Sequence, residues 1–392
     1  MANELPEDLV LQTLLSLPVV SLLRFKCVCK SWYALITRHD FIREHILHHR
    51  SPSKKNKNAL FLLSRLDKTT RDHLLSTLSY QTLQVSLTQP LPPPYFGINE
   101  KVHVFVVGSC DGLLCLSDKY AWKIFIWNPA TKETKVVPES TLRRLRSNDC
   151  GFGNAIRFGF DSKTNDYKII RLLRVFEFDP SVLYYKGKYM YESDLYSLRT
   201  NSWRHVDSQP WFDVPYSFIY DGFMGTRTDT NGMASWPAQG DCEYILSFDM
   251  SKEVFLRTPM PDKRVIGSGL YNWRDLFLLN ESVALSVRNS DEEQSDFCFH
   301  IWLLGEFGVE ESWRKIYTLG PLTGFDTVLG FWKDDALFFG SADGRLFLYD
   351  SSTKEMNYLQ IDGEPMTLQL ITFMETLVSV KVGNETEEQN NS

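Results

Sequence analysis

Apolar residues recur at helical spacing through the first fifty positions and then give way to short apolar runs broken by polar turns. Leu5-Pro6-Glu7-Asp8-Leu9 reads as a helix start, with Pro6 at the first helical position and two acids in the first turn, where they complement the helix dipole. Val10, Leu14 and Leu17 form one stripe and Leu11 and Leu15 a second beside it, a wider apolar face than a single contact requires. The helix ends before Pro18, which opens a second through Ser21, Leu22, Leu23 and Phe25. A third carries Lys30, Trp32, Tyr33, Leu35 and Ile36, and a fourth begins after Asp40 with Phe41, Ile42, Ile46 and Leu47 apolar. A unit of about 45 residues in short helices is marginal alone, because it buries a small fraction of its surface. The excess apolar surface implies a protein partner; the alternative is that the helices pack only on the chain's own body.

From about residue 100 one pattern recurs: an apolar strand, a turn of Asp, Asn, Ser or Thr, then a second short strand. It spans residues 126–134, 159–167, 195–203, 247–255 and 348–356, with a weaker copy from Ile301-Trp302 to Ser312-Trp313. Cys110-Asp111-Gly112-Leu113-Leu114 and Ala342-Asp343-Gly344-Arg345-Leu346 add Asp-Gly hairpin signals. Successive copies begin roughly 30 to 55 residues apart, the spacing of four-stranded propeller blades. The expected fold is mixed: a small α-helical head followed by an all-β body, a β-propeller of about six or seven uneven blades. A large β-sandwich is the alternative. The aromatic content of 14% agrees with a strand-rich body.

Charge divides the 392 residues at the same place. Residues 1–60 hold nine Lys/Arg against five acids, about +4, and the rest hold 33 against 44, about -11, for a net -7. The polar, basic stretch from His49 to Asn58 reads as a linker, which sets the expected organisation as 1–48 helical head, 49–58 linker, 59–380 β body and 381–392 disordered tail. An acidic body disfavours nucleic acid and acidic membrane surfaces as partners. Seven cysteines without regular spacing argue against a disulfide framework, and Glu4, Glu7 and Asp8 stand where a secretory signal would carry positive charge. Gln12, Pro18, Arg24 and Lys26 interrupt the stretch from Leu9 to Val28, so no transmembrane helix is expected. A cytoplasmic or nuclear location is expected.

Few positions invite chemistry. Gly108-x-Cys110-x-Gly112 mimics a nucleophile elbow, but strand-like Leu113 to Leu116 follows it, so it reads as a hairpin. His45, His48 and His49 have helical ligand spacing without a clear fourth ligand and read as a solvated helix end. Cys27 and Cys29 diverge on a helix, and Gly151-Phe152-Gly153-Asn154 lacks a third glycine and precedes a strand. No catalytic residue, metal or cofactor is expected. Three surface features are candidates for binding a protein target. They are the basic cluster Arg143, Arg144 and Arg146, the acidic run Asp291, Glu292, Glu293 and Asp296, and the aromatic stretch holding Trp211, Phe212 and Tyr216. Each has a plainer reading as exposed loop, solvated hairpin tip or propeller plug.

The head resembles the F-box family, through Leu5-Pro6-Glu7-Asp8-Leu9, Leu15-Ser16-Leu17-Pro18-Val19, the run from Leu22 to Trp32, and Leu35-Ile36. In that family the motif docks on the Skp-type adaptor of a cullin-based ubiquitin ligase with its RING subunit. The resemblance implies adaptor contacts at Leu5, Pro6, Leu9, Leu17, Pro18, Leu22, Val28 and Trp32. Val20 departs from the Lys or Arg usual in plant members. The body resembles the F-box-associated region of plant F-box proteins, through residues 108–113, Asn128-Pro129-Ala130-Thr131, Gly159-Phe160-Asp161 with residues 166–170, Ser247-Phe248-Asp249, Glu311-Ser312-Trp313 and Glu375-Thr376-Leu377-Val378-Ser379. Within that family it is most similar to S-locus F-box and S-locus-F-box-like proteins, whose pollen members recognise a pistil S-ribonuclease in self-incompatibility. The resemblance implies a non-catalytic substrate receptor whose acidic body takes a protein substrate, with a basic S-ribonuclease as the candidate. The competing readings are a propeller enzyme or lectin with a merely structural head, and an F-box protein acting outside a ligase.

Overall fold

The computed structural model describes residues 6–50, 59–91, 104–118, 123–140, 155–176, 189–207, 218–219, 229–230, 232–239, 242–261, 273–279, 282–290, 296–333 and 336–381. Four helices come first: α1 (Glu7–Leu15), α2 (Val19–Phe25), α3 (Lys30–Thr37) and α4 (His39–Arg50). Pro6 and Pro18 each stand just outside a helix and accept its first amides, Leu9 N at 3.0 Å and Val10 N at 3.2 Å on Pro6 O, Ser21 N at 3.0 Å and Leu22 N at 3.2 Å on Pro18 O. The expected start of the linker at residue 49 is corrected, because α4 continues to Arg50. Its last turn is held by burial of Ile46 and His49.

The strands pair antiparallel into six sheets. The first holds β1 (Leu60–Leu66), β2 (His73–Ser79) and β3 (Val85–Pro90). The second holds β4 (Val104–Cys110), β5 (Leu113–Asp118), β6 (Ile124–Trp127) and β7 (Thr134–Val136). The third holds β8 (Ala155–Asp161), β9 (Asp166–Phe176), β10 (Tyr189–Ser197) and β11 (Ser202–Val206). In the fourth, the two-residue strands β12 (Phe218–Ile219) and β13 (Asp229–Thr230) both pair with β14 (Met233–Gln239), followed by β15 (Glu243–Asp249) and β16 (Val254–Pro259). The fifth holds β17 (Trp273–Leu279), β18 (Ser282–Ser290), β19 (Asp296–Leu303) and β20 (Arg314–Thr323). The sixth holds β21 (Phe325–Trp332), β22 (Ala336–Ser341), β23 (Arg345–Asp350) and β24 (Met356–Asp362). The last strand, β25 (Gln369–Phe373), returns to β1 from Leu60↔Phe373 to Ser64↔Gln369 and completes the first sheet.

Burial decides between a ring and a sandwich. A sandwich strand buries one face, whereas a propeller strand is covered on both by the neighbouring blades. Here Leu114 and Leu116 pack with Leu62, Leu75 and Phe373 of the first sheet, while Leu113 and Cys115 of the same strand pack with Ile156, Phe158 and Ile169 of the third. Tyr244 and Leu246 face the third sheet and Ile245 the fifth. Leu63 and Phe61 pack with Leu329 and Phe338, which closes the sixth sheet onto the first. Phe277 and Phe299 of the fifth sheet pack with Val328 and Phe339 of the sixth. Every neighbouring pair thus shares an apolar core, and the body is a six-bladed β-propeller, closed by a sheet built from both ends of its sequence. Double-sided burial also explains why strands such as Leu113 to Leu116 read as continuous apolar runs rather than alternating ones.

The recurring turn has a local cause. The carboxylate or amide oxygen at its first residue accepts the amides two and three positions on: Asn128 from Ala130 (2.9 Å) and Thr131 (3.3 Å), Asp249 from Ser251 and Lys252 (both 2.9 Å), Asp350 from Ser352 (2.8 Å) and Thr353 (3.1 Å). The residue four positions on then takes a left-handed conformation, φ 63° at Lys132, 58° at Glu253 and 60° at Lys354. The first blade carries two further copies that the sequence pattern missed, beginning at Asp67 and Ser79 and reaching positive φ at Arg71 and Leu83.

Candidate protein-docking site

The head is organised around Leu14, Val19, Leu22, Ile36 and Phe41, all buried, with Leu11, Leu15, Leu17, Phe25 and Trp32 packed partly against them. Phe25 and Trp32 pack with their rings tilted at 46° and centroids 5.3 Å apart, joining the end of α2 to α3. His45 ties α4 to the turn between α1 and α2, its Nε2 donating to Leu17 O at 2.9 Å. Burial, with His49 and His48 nearby, brings the His45 pKa down to about 4, so the ring is neutral at ordinary pH.

Above this core the head leaves large apolar side chains in solvent: Leu9 is 50% exposed and Val28 60%, and Val20, Tyr33 and Leu47 are also exposed. Of the residues matching the family's adaptor contacts, Pro6, Leu9, Pro18 and Val28 are exposed and Leu17 and Trp32 half-buried. Leu22 corrects the expectation: it is fully buried and serves the head's own core, because α2 turns that side inward against Leu14 and Ile36. Leu5 lies outside the described residues. Tyr33, Val20 and Leu47 were not singled out for exposure, since an apolar position in a short helix does not say by itself which way it turns. Exposed Lys30 and Arg24 flank Val28 in sequence, so the head presents apolar and basic groups together. Cys29 stands just before α3, its Sγ 3.1 Å from Ser31 Oγ, and that contact lowers its pKa.

The opposite side of the head rests on the propeller. Ile46 joins the core between the second and third blades. Arg50 pairs with Asp111, whose other carboxylate oxygen accepts the Tyr167 hydroxyl at 3.0 Å, and Asn165 Nδ2 donates to His39 Nε2 at 2.7 Å. Burial, aided by Asp111, pushes the Tyr167 hydroxyl well above its ordinary pKa and keeps it a donor. His45 and His49 are therefore buried, which overturns the expectation of a solvated helix end.

The sequence around Gly108-x-Cys110-x-Gly112 is the β4–β5 hairpin, with Asp111 and Gly112 both at positive φ. Cys115 beside it is buried, which pushes its thiol pKa far up and leaves it a poor nucleophile. Among the described residues no group of three or more His, Cys, Asp or Glu is placed to hold a metal, and no helix is long and apolar enough to cross a membrane. Arg143, Arg144, Arg146, Trp211, Phe212, Tyr216, Asp291, Glu292 and Glu293 lie outside the described residues. The strands that flank them are described. The head sits at the blade end that carries the β4–β5, β6–β7 and β8–β9 turns. Antiparallel alternation puts the end of β7 and start of β8, the end of β11 and start of β12, and the end of β18 and start of β19 at the other end.

Comparison with known proteins agrees with both halves. Residues 3–44 match the F-box domain and residues 68–380 the F-box associated beta propeller domain. The chain is similar to an F-box/kelch-repeat protein of Arabidopsis thaliana, 28% identical over 342 residues, covering 86% of this chain and 84% of that one. It is also similar to the Arabidopsis thaliana F-box protein CPR1, 26% identical over 331 residues, covering 80% and 73%. With four helices carrying the F-box and a six-bladed ring carrying the associated domain, this chain belongs to the F-box proteins with an F-box associated beta propeller domain.

Proposed function

We propose that this protein is the substrate receptor of a cullin-based ubiquitin ligase, its head docking on a Skp-type adaptor through Pro6, Leu9, Leu17, Pro18, Val28 and Trp32. The observation that carries the reading is the exposure of Leu9 and Val28 above a core that is already complete. Apolar side chains left in water on a small helical unit gain free energy when a second protein covers them, roughly 25 cal/mol per Å². The chain performs no transfer itself; it holds a target near the ligase so that ubiquitin transfer becomes effectively intramolecular. The target binds at the propeller end away from the head, where β7, β11 and β18 end. The acidic body favours a basic protein, and a pistil S-ribonuclease fits that charge. Binding of such a ribonuclease should weaken steeply from low to high salt; equal affinity at both would reject it.

Adaptor capture by the full chain, compared with Leu9→Asp and Val28→Asp, tests the head. Both variants should lose capture by at least tenfold while keeping the fold. Retained capture would reject the assignment and leave the head a structural cap. Point variants suit this test better than removal of residues 1–48, because that deletion also strips Ile42 and Ile46 from the propeller's surface.

A further inference from the structure

We infer that the segment after β25, residues 374–380, is a strap that locks the head to the propeller and sets the angle between them. Among the described residues the segment pairs with no strand, and its backbone would be costly to bury unless other groups satisfied it. The second blade does so with side chains. The Asn128 amide, itself fully buried, donates through Nδ2 to Thr376 O at 3.1 Å and to Val378 O at 2.7 Å. Glu133 Oε2 accepts Val380 N at 3.1 Å, and the Thr376 hydroxyl donates to Asp111 O. Gly112 lets the strap pass this close: at φ +77° it would place a Cβ 2.5 Å from Thr376 Oγ1 and 2.8 Å from Met374 O.

An extended chain turns successive side chains to opposite sides, and the strap uses both. Val378 and Val380 pack into the core between the second and third blades. Leu377, 3% exposed, enters the core of the head beside Leu14, Val19, Leu22, Ile36 and Phe41. One leucine from the far end of the sequence therefore completes the F-box core. The same strap follows directly on the strand that closes the ring. Lys26 of the head is half-buried, which lowers its pKa, and the Glu133 carboxylate that also holds Val380 partly offsets this by attracting its charge. The head is thus seated by interlocking contacts and not merely tethered through residues 51–58. Granting the receptor role proposed above, a target at the far end of the propeller faces the ligase in an orientation set by this strap.

Amide hydrogen exchange on the full chain tests the lock without any adaptor. Asn128→Asp keeps the Oδ1 that accepts Ala130 N and Thr131 N but replaces the donor to the two strap carbonyls. Leu377→Ala keeps the clasp and empties the head's pocket. Each should raise exchange of the amides in α1 to α3 at least tenfold and leave β15 and β18, two and three blades from the second, within twofold; Leu377→Met should stay near the parent. Unchanged head amides in both variants, or equal loosening of β15 and β18, would overturn the inference. If Asn128→Asp fails to fold, Leu377→Ala alone decides. Adaptor capture by the parent chain, run in parallel, reports on the receptor reading separately: its failure leaves the exchange result standing.

Discussion

The propeller and the head treat apolar residues in opposite ways. An inner strand such as β5 is buried along its whole length, because each blade lends one face to each neighbour, while an outer strand such as β3 stays exposed and keeps Val85 and Leu87 in solvent. The head buries one residue of α1, Leu14, and one of α3, Ile36, and leaves Leu9, Val20, Val28 and Tyr33 in solvent. It also takes Leu377 from the other end of the chain. The cores between the blades therefore close on one another, while the head is finished by two outside surfaces: the strap beneath it and, on the reading above, a second protein over it. Stability in the propeller should be distributed and robust, and in the head local and conditional.

The sharpest way to break this contrast is to damage each core in turn. Trp236 is fully buried between the third and fourth blades, and Trp236→Ala should cost about 3 to 5 kcal/mol. Denaturant unfolding should show that loss in the main transition, which reports the ring. Leu22→Ala should cost about 3 kcal/mol, yet the loss should be confined to α1–α4, so exchange of the head rises while β9 and β15 keep their protection. A global loss of equal size would mean that head and ring form one cooperative unit.

Acid should separate the two regions more gently. The His45 ring in the unfolded chain takes up a proton near pH 6.5, whereas the buried ring resists until about pH 4. Between these values the unfolded state binds protons the folded head does not, so head stability falls as the pH drops, by about 3 kcal/mol at most, and levels off below pH 4. His48 and His49, which touch the same ring system, add to the repulsion once protonated. Head-specific exchange measured from pH 7 to 4 should show the loss, and His45→Gln, which keeps a donor without the titration, should flatten it. An unchanged profile in that variant would assign the acid sensitivity to other groups.

What the sequence made legible follows from how local each cause is. The turns at Asn128, Asp249 and Asp350 could be read because one side chain caps its own turn. The Ser79 copy escaped notice because a serine hydroxyl makes a weaker version of the same bond, 3.3 and 3.4 Å long. Helix spans were legible from Pro6, Pro18 and the apolar spacing, but the facing of single residues was not. Leu22 and Val28 belong to one motif, and only the packing of α2 against α1 and α3 sends the first inward. Least legible was Leu377, because nothing within a window of neighbours says that it enters a core formed more than three hundred residues earlier. A separation of 61 residues hid the burial of His49, whose helix end looked polar until the β4–β5 hairpin came beneath Arg50.

The smallest stability effect belongs to the most consequential residues. Leu9→Ala and Val28→Ala each remove side-chain atoms that are already half or more in water, so each should change unfolding free energy by less than about 0.5 kcal/mol. If a second protein covers these positions, the same truncations should weaken its binding by roughly tenfold or more apiece, the size expected for apolar anchors at the centre of an interface. Calorimetric titration with a purified Skp-type adaptor, set beside denaturant unfolding of the same variants, measures both numbers. A variant that unfolds like the parent and binds poorly marks a residue kept for a partner; one that loses stability but binds normally marks a residue that belongs to the core, as Leu22 does. Parental behaviour in both measurements would show that their exposure is incidental, and the contrast between head and propeller would then be one of size alone.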